Sequence, residues 1–188
     1  MAVPGNESFR NAYDFIAPAR IVFGWGRRRE LGALASFLGR RAFVIQGSTA
    51  LERSGVIGEA SDSLRSAGVE PVILGGISHE PEVADVDTIA AALRDHGAGP
   101  GDFLVGLGGG SAIDLAKASA AMATNRESPT VKDYLEGVGS GLQLRQDPLP
   151  LVAMPTTAGT GSEATKNAVI SSTAPPFKKS IRSDRMMT

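Results

Sequence analysis

With 188 residues, the chain is long enough to bury the core of one domain with a small appendage. Its 19 basic and 20 acidic residues leave a net charge of −1, which lacks the basic excess typical of proteins that bind nucleic acid or a membrane surface. The sequence has no cysteine, no apolar run of membrane-spanning length and no signal-peptide pattern, so we expect a cytoplasmic protein without disulfides or thiolate metal sites.

Short apolar runs alternate with helical patterns along the chain, after a polar start over residues 1–12 that we expect to be loosely held. The predicted strands are residues 13–16, 20–23, 41–45, 69–74, 103–107 and 150–154. The predicted helices are residues 27–38, a short one near Ala50, 57–67, 83–96, 111–124 and a short one at 131–135. Residues 167–172 and 178–182 flank two prolines and predict an antiparallel hairpin.

Strands of four to six residues that alternate with helices predict an α/β fold, in which helices cover both faces of a parallel sheet. Ligands of such sheets bind beyond the carboxyl ends of the strands. Turns at Gly47, Gly108 and Thr156 each follow a predicted strand. We therefore expect these three turns to meet in one crevice.

The turn at 108–110 consists of three consecutive glycines between a buried strand and an alanine-rich helix. We expect Ser111 to cap the helix and Asp114 to complete a capping box. Unpaired N–H groups at the positive end of a helix dipole suit a phosphate, whereas the alternative is a tight turn without a ligand. The turn is neither a Walker loop nor a clean G-x-G-x-x-G motif, because Ser111 occupies the third glycine position.

Asp114 has two interpretations. A carboxylate that faced a bound phosphate would repel it, so Asp114 is either part of the binding turn or a structural group. In the structural case it caps the helix or pairs with Lys117.

A second turn at 155–163 follows the strand at 150–154. Thr156, Thr157, Thr160 and Ser162 place four hydroxyls around two glycines, which suits a ribose, a phosphate or an amide. The alternative is a turn stabilised by its own side chains. Glu163 lies three residues after Thr160, so we expect it to close a capping box rather than to act as a catalytic acid.

Acid–base and metal chemistry have little support in the residues alone. His79 and His96 are the only histidines, and neither has a second ligand three or four residues away. We expect His96 to complement a helix C-terminus. The residues by themselves predict a nucleotide-binding α/β domain without visible catalytic machinery.

Residues 108–117 (GGGSAIDLAK) and 155–163 (PTTAGTGSE) together resemble the iron-containing (group III) alcohol dehydrogenases. Further similar stretches are 20–24, 79–81, 178–179 and 181–187, so the resemblance covers nearly the whole chain. The second loop favours this branch over the related glycerol dehydrogenases, maleylacetate reductases and dehydroquinate synthases.

The resemblance implies a Rossmann-like dinucleotide-binding domain of the dehydroquinate synthase-like superfamily, with a C-terminal β-hairpin. In the family, a helical domain follows and holds a divalent metal, iron or zinc, and the active site lies in the cleft between the two domains. The cofactor-binding residues implied here are Gly47, Ser48, Gly109, Gly110, Ser111, Asp114, Thr156, Thr157, Thr160, Asn167, Val169 and Lys178. Gly109 to Ser111 would hold the pyrophosphate, and the threonines and hairpin residues would line the nicotinamide side.

The turn after the strand predicted at 41–45 indicates which dinucleotide the chain would bind. Family members that prefer NAD usually carry an aspartate there that binds the ribose hydroxyls, whereas this chain has Gly47 and Ser48. Without that carboxylate a 2′-phosphate is not repelled, and a serine hydroxyl can donate to it. The resemblance therefore favours NADP over NAD, which remains the alternative.

The family's metal ligands, an aspartate and three histidines, would lie beyond Thr188, and none matches a residue here. We therefore expect residues 1–188 to be a single dinucleotide-binding domain, whether a fragment or a natural truncation, without catalytic residues or turnover of its own. The full enzyme would transfer hydride between NAD(P) and a small alcohol or aldehyde. The alternative is a non-catalytic nucleotide-binding or interaction module. Exposure of the cleft wall also predicts self-association into a homo-oligomer.

Overall fold

The computed structural model of the protein describes residues 15–188. Its central sheet has four parallel strands in the order β2-β1-β3-β4. The strands are β1 (Arg41–Gln46), β2 (Glu70–Gly76), β3 (Asp102–Gly108) and β4 (Leu151–Pro155). All of β3 and most of β1 are buried, as expected for the central strands of a parallel sheet that is covered on both faces. The predicted α/β architecture is confirmed.

Within residues 15–188, helices pack on both faces of this sheet in two separate apolar clusters. The α-helices are α1 (Leu31–Ala35), α2 (Thr49–Arg53), α3 (Val56–Ser66), α4 (Val83–Asp95) and α5 (Gly110–Thr124). The 3-10 helices are Arg27–Glu30, Val131–Tyr134, Ser162–Ala164 and Asp184–Met186. Helices α1 and α3 cover one face, and α4 and α5 cover the other.

Helix α5 is the most deeply placed of these elements. Every residue from Ala112 to Ala123 is buried. The small alanine side chains allow this helix to lie against the sheet on one side and against the hairpin on the other. The same packing also buries two charged groups, Asp114 and Lys117.

The predicted hairpin is confirmed. Strands β5 (Asn167–Thr173) and β6 (Pro176–Arg182) pair antiparallel as a separate two-stranded sheet, with a cis peptide between Ala174 and Pro175 in the turn. Ala168, Ile170 and Ile181 are buried and join the apolar cluster around α5. The hairpin therefore closes over the face of α5 that the central sheet leaves free.

The strand predicted at residues 20–23 is wrong. Residues 15–23 form neither helix nor strand, and the Phe23 side chain is 94% exposed. An edge strand needs a neighbour to satisfy its backbone groups, and none of the described strands pairs with this segment. Of the strand predicted at 13–16, only Phe15 and Ile16 are described, and residues 1–12 lie outside the described part.

The length and apolar character of a helix decide whether it can span a membrane. Within residues 15–188, none of the helices combines the length and the apolar character that crossing a bilayer requires.

Candidate functional site

The three turns predicted to converge do meet at the carboxyl edge of the sheet. The Gly47 N–H, just after β1, donates to the Leu107 carbonyl at 2.8 Å. The Thr156 N–H, just after β4, donates to the Gly108 carbonyl, also at 2.8 Å. The turns after β1, β3 and β4 are thus linked by backbone hydrogen bonds and form one continuous crevice.

The close approach of these turns depends on glycine. A Cβ atom on Gly108 would lie 2.9 Å from the Gly47 Cα and 2.8 Å from the Ala112 Cβ. Real Cβ atoms essentially never approach other atoms this closely, and the Gly47 backbone cannot move aside without disturbing β1. Glycine at 108 is therefore required to bring the start of α5 against the turn after β1.

The glycine turn also faces the threonine-rich turn. A Cβ atom on Gly109 would lie 3.2 Å from the Thr157 Oγ1, and one on Gly110 would lie 3.1 Å from both the Ser162 Oγ and the Thr160 Cβ. The backbone of the glycine turn therefore lies directly against the hydroxyl-bearing side chains of the threonine-rich turn. Side chains at 109 and 110 would press against these residues, so glycine permits the two turns to pack this closely.

Helix α5 begins one residue earlier than predicted. Gly110 is its first residue and Gly109, in an extended conformation, is its N-cap, so the capping box predicted between Ser111 and Asp114 is wrong. Among residues 15–188 the backbone N–H groups of Gly109, Gly110 and Ser111 have no acceptor. Three donors at the positive end of a 15-residue helix suit an anion such as a pyrophosphate.

The Asp114 carboxylate contacts the hairpin. Its Oδ2 accepts a hydrogen bond from the Val169 N–H at 3.1 Å, and the residue is only 8% exposed. Burial raises the pKa of its carboxyl, although the Val169 N–H and the Ser162 hydroxyl oppose the rise. Asp114 and the Val169 backbone thus form a link between α5 and β5.

The threonine-rich turn keeps most of its hydroxyl groups at the surface. Thr156, Thr157 and Thr160 are exposed. The capping box predicted between Thr160 and Glu163 is wrong, because the 3-10 helix starts after Gly161, whose φ is 71°, and has no side-chain cap. Instead, the Thr160 Oγ1 accepts from the Ser162 N–H at 3.4 Å.

Ser48 lies at the outer rim of the crevice. It is exposed and precedes α2, but its hydroxyl makes no capping hydrogen bond to that helix. The hydroxyl is therefore free to contact a ligand that extends from the glycine turn past the end of β1.

The hairpin residues named from the sequence occupy different places. Asn167, half-buried, is the first residue of β5 and follows the threonine-rich turn in the chain. The Lys178 ammonium forms an ion pair with the Glu80 carboxylate at the surface. Lys178 thus reaches toward the loop before α4 rather than toward the glycine turn.

Lys117 has a role that sequence reasoning missed. The sequence predicted it only as a possible ion-pair partner of Asp114. The Lys117 side chain is 2% exposed, and its ammonium contacts the segment that leads from the threonine-rich turn to β5. Burial lowers the pKa of Lys117 to about 8, while Asp114 and Glu163 partly oppose this. The signal in the sequence was a lysine within an otherwise apolar, alanine-rich helix.

The histidines and carboxylates do not assemble a metal site. The His79 Nε2 lies 3.0 Å from the Asp85 Oδ2, and the His96 ring packs against Phe43 with centroids 5.7 Å apart. In the part of the chain that the structure describes, no three His, Asp or Glu side chains converge as ligands would. The metal implied by the resemblance therefore does not fit these residues.

Comparison with known proteins agrees with this geometry. A family model of iron-containing alcohol dehydrogenases matches residues 18–188, which include every turn of the crevice. The chain belongs to the iron-containing alcohol dehydrogenase family. Residues 18–188 correspond to the nucleotide-binding region of this family.

Individual members of the iron-containing alcohol dehydrogenases show how far the similarity extends. The long-chain-alcohol dehydrogenase 1 of Geobacillus thermodenitrificans is 35% identical over 159 residues, which are 81% of this chain and 39% of that protein. The NADH-dependent butanol dehydrogenase A of Thermotoga maritima superposes with a TM-score of 0.83 at 28% identity, over 94% of this chain and 42% of that one.

A third relative was solved with a dinucleotide. The sulfoacetaldehyde reductase of Bifidobacterium kashiwanohense, in complex with NAD+, superposes with a TM-score of 0.80 at 31% identity, over 94% of this chain and 44% of that one. The chain thus spans about two fifths of the length of these three relatives.

Proposed function

We propose that the chain is a dinucleotide-binding domain that serves an alcohol dehydrogenase, which transfers hydride between NAD(P) and a small alcohol or aldehyde. The observation that carries this proposal is the crevice itself. Three unpaired N–H groups at the start of α5 face a turn with three exposed threonines. Membership of the family supports the same conclusion.

Different residues of the crevice would bind different parts of the dinucleotide. The N–H groups of Gly109, Gly110 and Ser111 would bind the pyrophosphate, and Thr157 and Thr160 would donate hydroxyls from the opposite side. Thr156 and Asn167 would contact the nicotinamide half. When bound, the dinucleotide supplies the hydride acceptor or donor.

NADP is the cofactor that we propose, with NAD as the alternative. Ser48 offers a hydroxyl and no negative charge at the rim, so a 2′-phosphate would meet a donor instead of a carboxylate. The printed names of two relatives favour the alternative, since one is called NADH-dependent and the other was solved with NAD+. A direct comparison of the two cofactors is therefore the decisive measurement.

Calorimetric titration of the chain with NADP, NAD and AMP tests both proposals. We expect both dinucleotides to bind, NADP more tightly than NAD, and AMP at least about tenfold more weakly because it lacks the pyrophosphate. Absence of dinucleotide binding would reject the proposed function. Tighter binding of NAD would reject only the cofactor preference.

We further propose that this chain by itself does not oxidise alcohols, because its described residues lack a metal-ligand set and any histidine in the crevice. The measurement is NADP reduction with short-chain alcohols in the presence of Fe²⁺ or Zn²⁺. Metal-dependent turnover would contradict this expectation. Dinucleotide binding in a complete reading frame of this length would favour the alternative, a non-catalytic nucleotide-binding module.

Cytoplasmic localisation and self-association also remain proposals. The absence of cysteine supports the first. The second is supported by exposed apolar side chains near the start of the described chain, among them Phe23 and Trp25. Sedimentation velocity over a range of concentrations tests it, and a strictly monomeric species would contradict it.

A further inference from the structure

Two charged side chains on α5 lie behind the crevice, and the dinucleotide chemistry proposed above does not use them directly. Asp114 and Lys117 are three residues apart and share the buried side of the helix that faces the hairpin. Lys117 comes seven residues after Gly110, about 10 Å along the helix axis from the glycine turn. Lys117 therefore does not reach the glycine turn, and the Asp114 carboxylate is bound by the hairpin.

Both side chains form hydrogen bonds to one segment of the chain, residues 165–169. The Lys117 Nζ donates to the Thr165 carbonyl, to the Thr165 Oγ1 at 3.2 Å and to the Asn167 carbonyl at 3.3 Å. Asp114 accepts from the Val169 N–H at 3.1 Å. Residues 165–169 are thus held at three backbone positions, and this segment leads directly out of the threonine-rich turn.

The ammonium group is an unusual choice for this place, since burying a charge destabilises a fold unless it is well compensated. A methionine would fill the same volume between alanines without that cost. The titratable groups around Lys117 are Asp114 on α5, Glu163 from the threonine-rich turn and, through Asp114, Lys178 of β6. Lys117 also borders a cavity of about 150 Å³ together with Arg185, whose charge is paired with Asp147.

We propose that Lys117 and Asp114 are positioning residues for dinucleotide binding, which hold the threonine-rich turn opposite the glycine turn through the 165–169 backbone. The inference rests on the proposed function. The protonated form of Lys117 performs this role best, because an ammonium has three donors for the three oxygens that it contacts. A bound pyrophosphate dianion about 10 Å away also favours that form.

This arrangement couples binding to a proton. Burial lowers the pKa of Lys117 to about 8, so the group loses its proton in the folded chain at a pH where the unfolded chain keeps it. The free energy of unfolding therefore gains from this group as the pH rises from about 8 toward the unfolded value. Dinucleotide affinity should instead fall over the same pH range, because the protonated form of Lys117 holds the 165–169 backbone. A purely structural lysine would change the free energy of unfolding over this range and leave the affinity of the folded chain unchanged.

The test compares dinucleotide affinity and urea unfolding between about pH 7 and pH 9.5 for the wild-type chain, Lys117→Met, Lys117→Arg and Asp114→Asn. The matched control is Lys166→Met, which removes a lysine of the same segment that pairs with Asp184 at the surface. The wild type, Lys117→Met and Lys117→Arg share every other titrating group, so differences in pH dependence among these three report on Lys117.

We expect wild-type affinity to fall about fivefold between the two pH values, and Lys117→Met to bind about tenfold more weakly at pH 7 with a flat pH profile. Lys117→Arg should restore affinity at pH 7, also with a flat profile, since arginine keeps its charge. Asp114→Asn should weaken binding and shift the pH dependence to lower pH, because the Asp114 charge raises the pKa of Lys117. Lys166→Met should match the wild type.

Wild-type affinity that does not change with pH, or Lys117→Met that binds as the wild type does, would overturn the inference and leave the proposed function intact. Failure of the wild-type chain to bind any dinucleotide at pH 7 would overturn both. If Lys117→Met does not fold, the comparison of the wild type with Lys117→Arg decides, because a wild-type pH dependence that survives in the arginine variant also rejects the role of Lys117.

Discussion

The amino and carboxyl ends of strands β1 and β3 differ in whether their polar groups are paired within the protein. At the amino edge Arg41 and Asp102 lie in register on β1 and β3, and the guanidinium binds the carboxylate at 3.0 Å and 2.8 Å. At the carboxyl edge Gly47 and Gly108 leave no side chain between the same strands, and the N–H groups beyond them lack acceptors among residues 15–188. One edge satisfies its polar groups internally, and the other keeps them for a ligand.

Asp102 at the amino edge and Lys117 within α5 differ in what burial does to their charged forms. Burial raises the pKa of Asp102, but the hydrogen bond and charge of Arg41 and the Gly99 N–H outweigh it, so the pKa lies below its usual value. For Lys117 burial dominates, and its pKa falls. The fold therefore stabilises the charged form at the amino edge, whereas it tolerates the charged form of Lys117 at a cost in stability.

The largest expected effect comes from a negative charge in the glycine turn. Ser111→Asp should weaken dinucleotide binding by about 100-fold through repulsion of the pyrophosphate. The same charge near the N-terminus of α5 should stabilise the fold by about 0.5 kcal/mol. Calorimetry and urea unfolding measure the two quantities, with Ser111→Ala as the neutral control. Unchanged affinity would remove the glycine turn from the binding site.

Substitution of the Arg41–Asp102 pair at the amino edge should lower the free energy of unfolding without changing dinucleotide affinity. Arg41→Met leaves the Asp102 carboxylate without its partner, so we expect the free energy of unfolding to fall by about 2 kcal/mol. Dinucleotide affinity should change by less than about twofold, because no group in the crevice is touched. The double variant Arg41→Met/Asp102→Asn should recover part of the loss. A large loss of affinity in a folded variant would show that the two edges are coupled.

A smaller effect is expected at the rim. Ser48→Asp should weaken NADP binding by about tenfold, since its carboxylate would repel a 2′-phosphate, and should leave NAD binding equal or stronger. Ser54→Asp, an exposed serine at the end of α2, is the matched control and should alter neither affinity. Equal effects on both dinucleotides would contradict the role given to Ser48.

The smallest effect concerns acid stability. Because the folded-state pKa of Asp102 is depressed, its stabilising contribution is present above the unfolded value of about 4 and is lost as the pH falls through the folded value. The difference in unfolding free energy between the wild type and Asp102→Asn should therefore narrow on acidification. Urea unfolding between neutral and acid pH measures it, and a constant difference would argue against the pair.

Much of the fold could be predicted because its signals are local. Apolar runs bounded by glycine located β1, β3 and β4 within about one or two residues, and the alternation of elements specified a parallel sheet. The convergence of the three turns followed from the topology alone. The strand at 20–23 failed because its residue types suit a strand, but no partner among the described strands pairs with it.

The details of the site depended on contacts that spacing does not reveal. Ser111 and Asp114 have the spacing of a capping box, yet the helix starts at Gly110 and Asp114 bonds to Val169, 55 residues away. A helix terminus is decided by the competition of all nearby acceptors and donors, and here the hairpin provided the stronger one.

The sequence by itself determined the order of elements, the glycine and threonine-rich turns and the family to which the chain belongs, since these depend on neighbouring residues and short motifs. Only the tertiary structure decided what Lys117 and Asp114 do. Their roles come from the hairpin that packs over α5 and excludes water from both groups. Burial and long-range hydrogen bonds arise between segments far apart in the chain, so no local pattern encodes them.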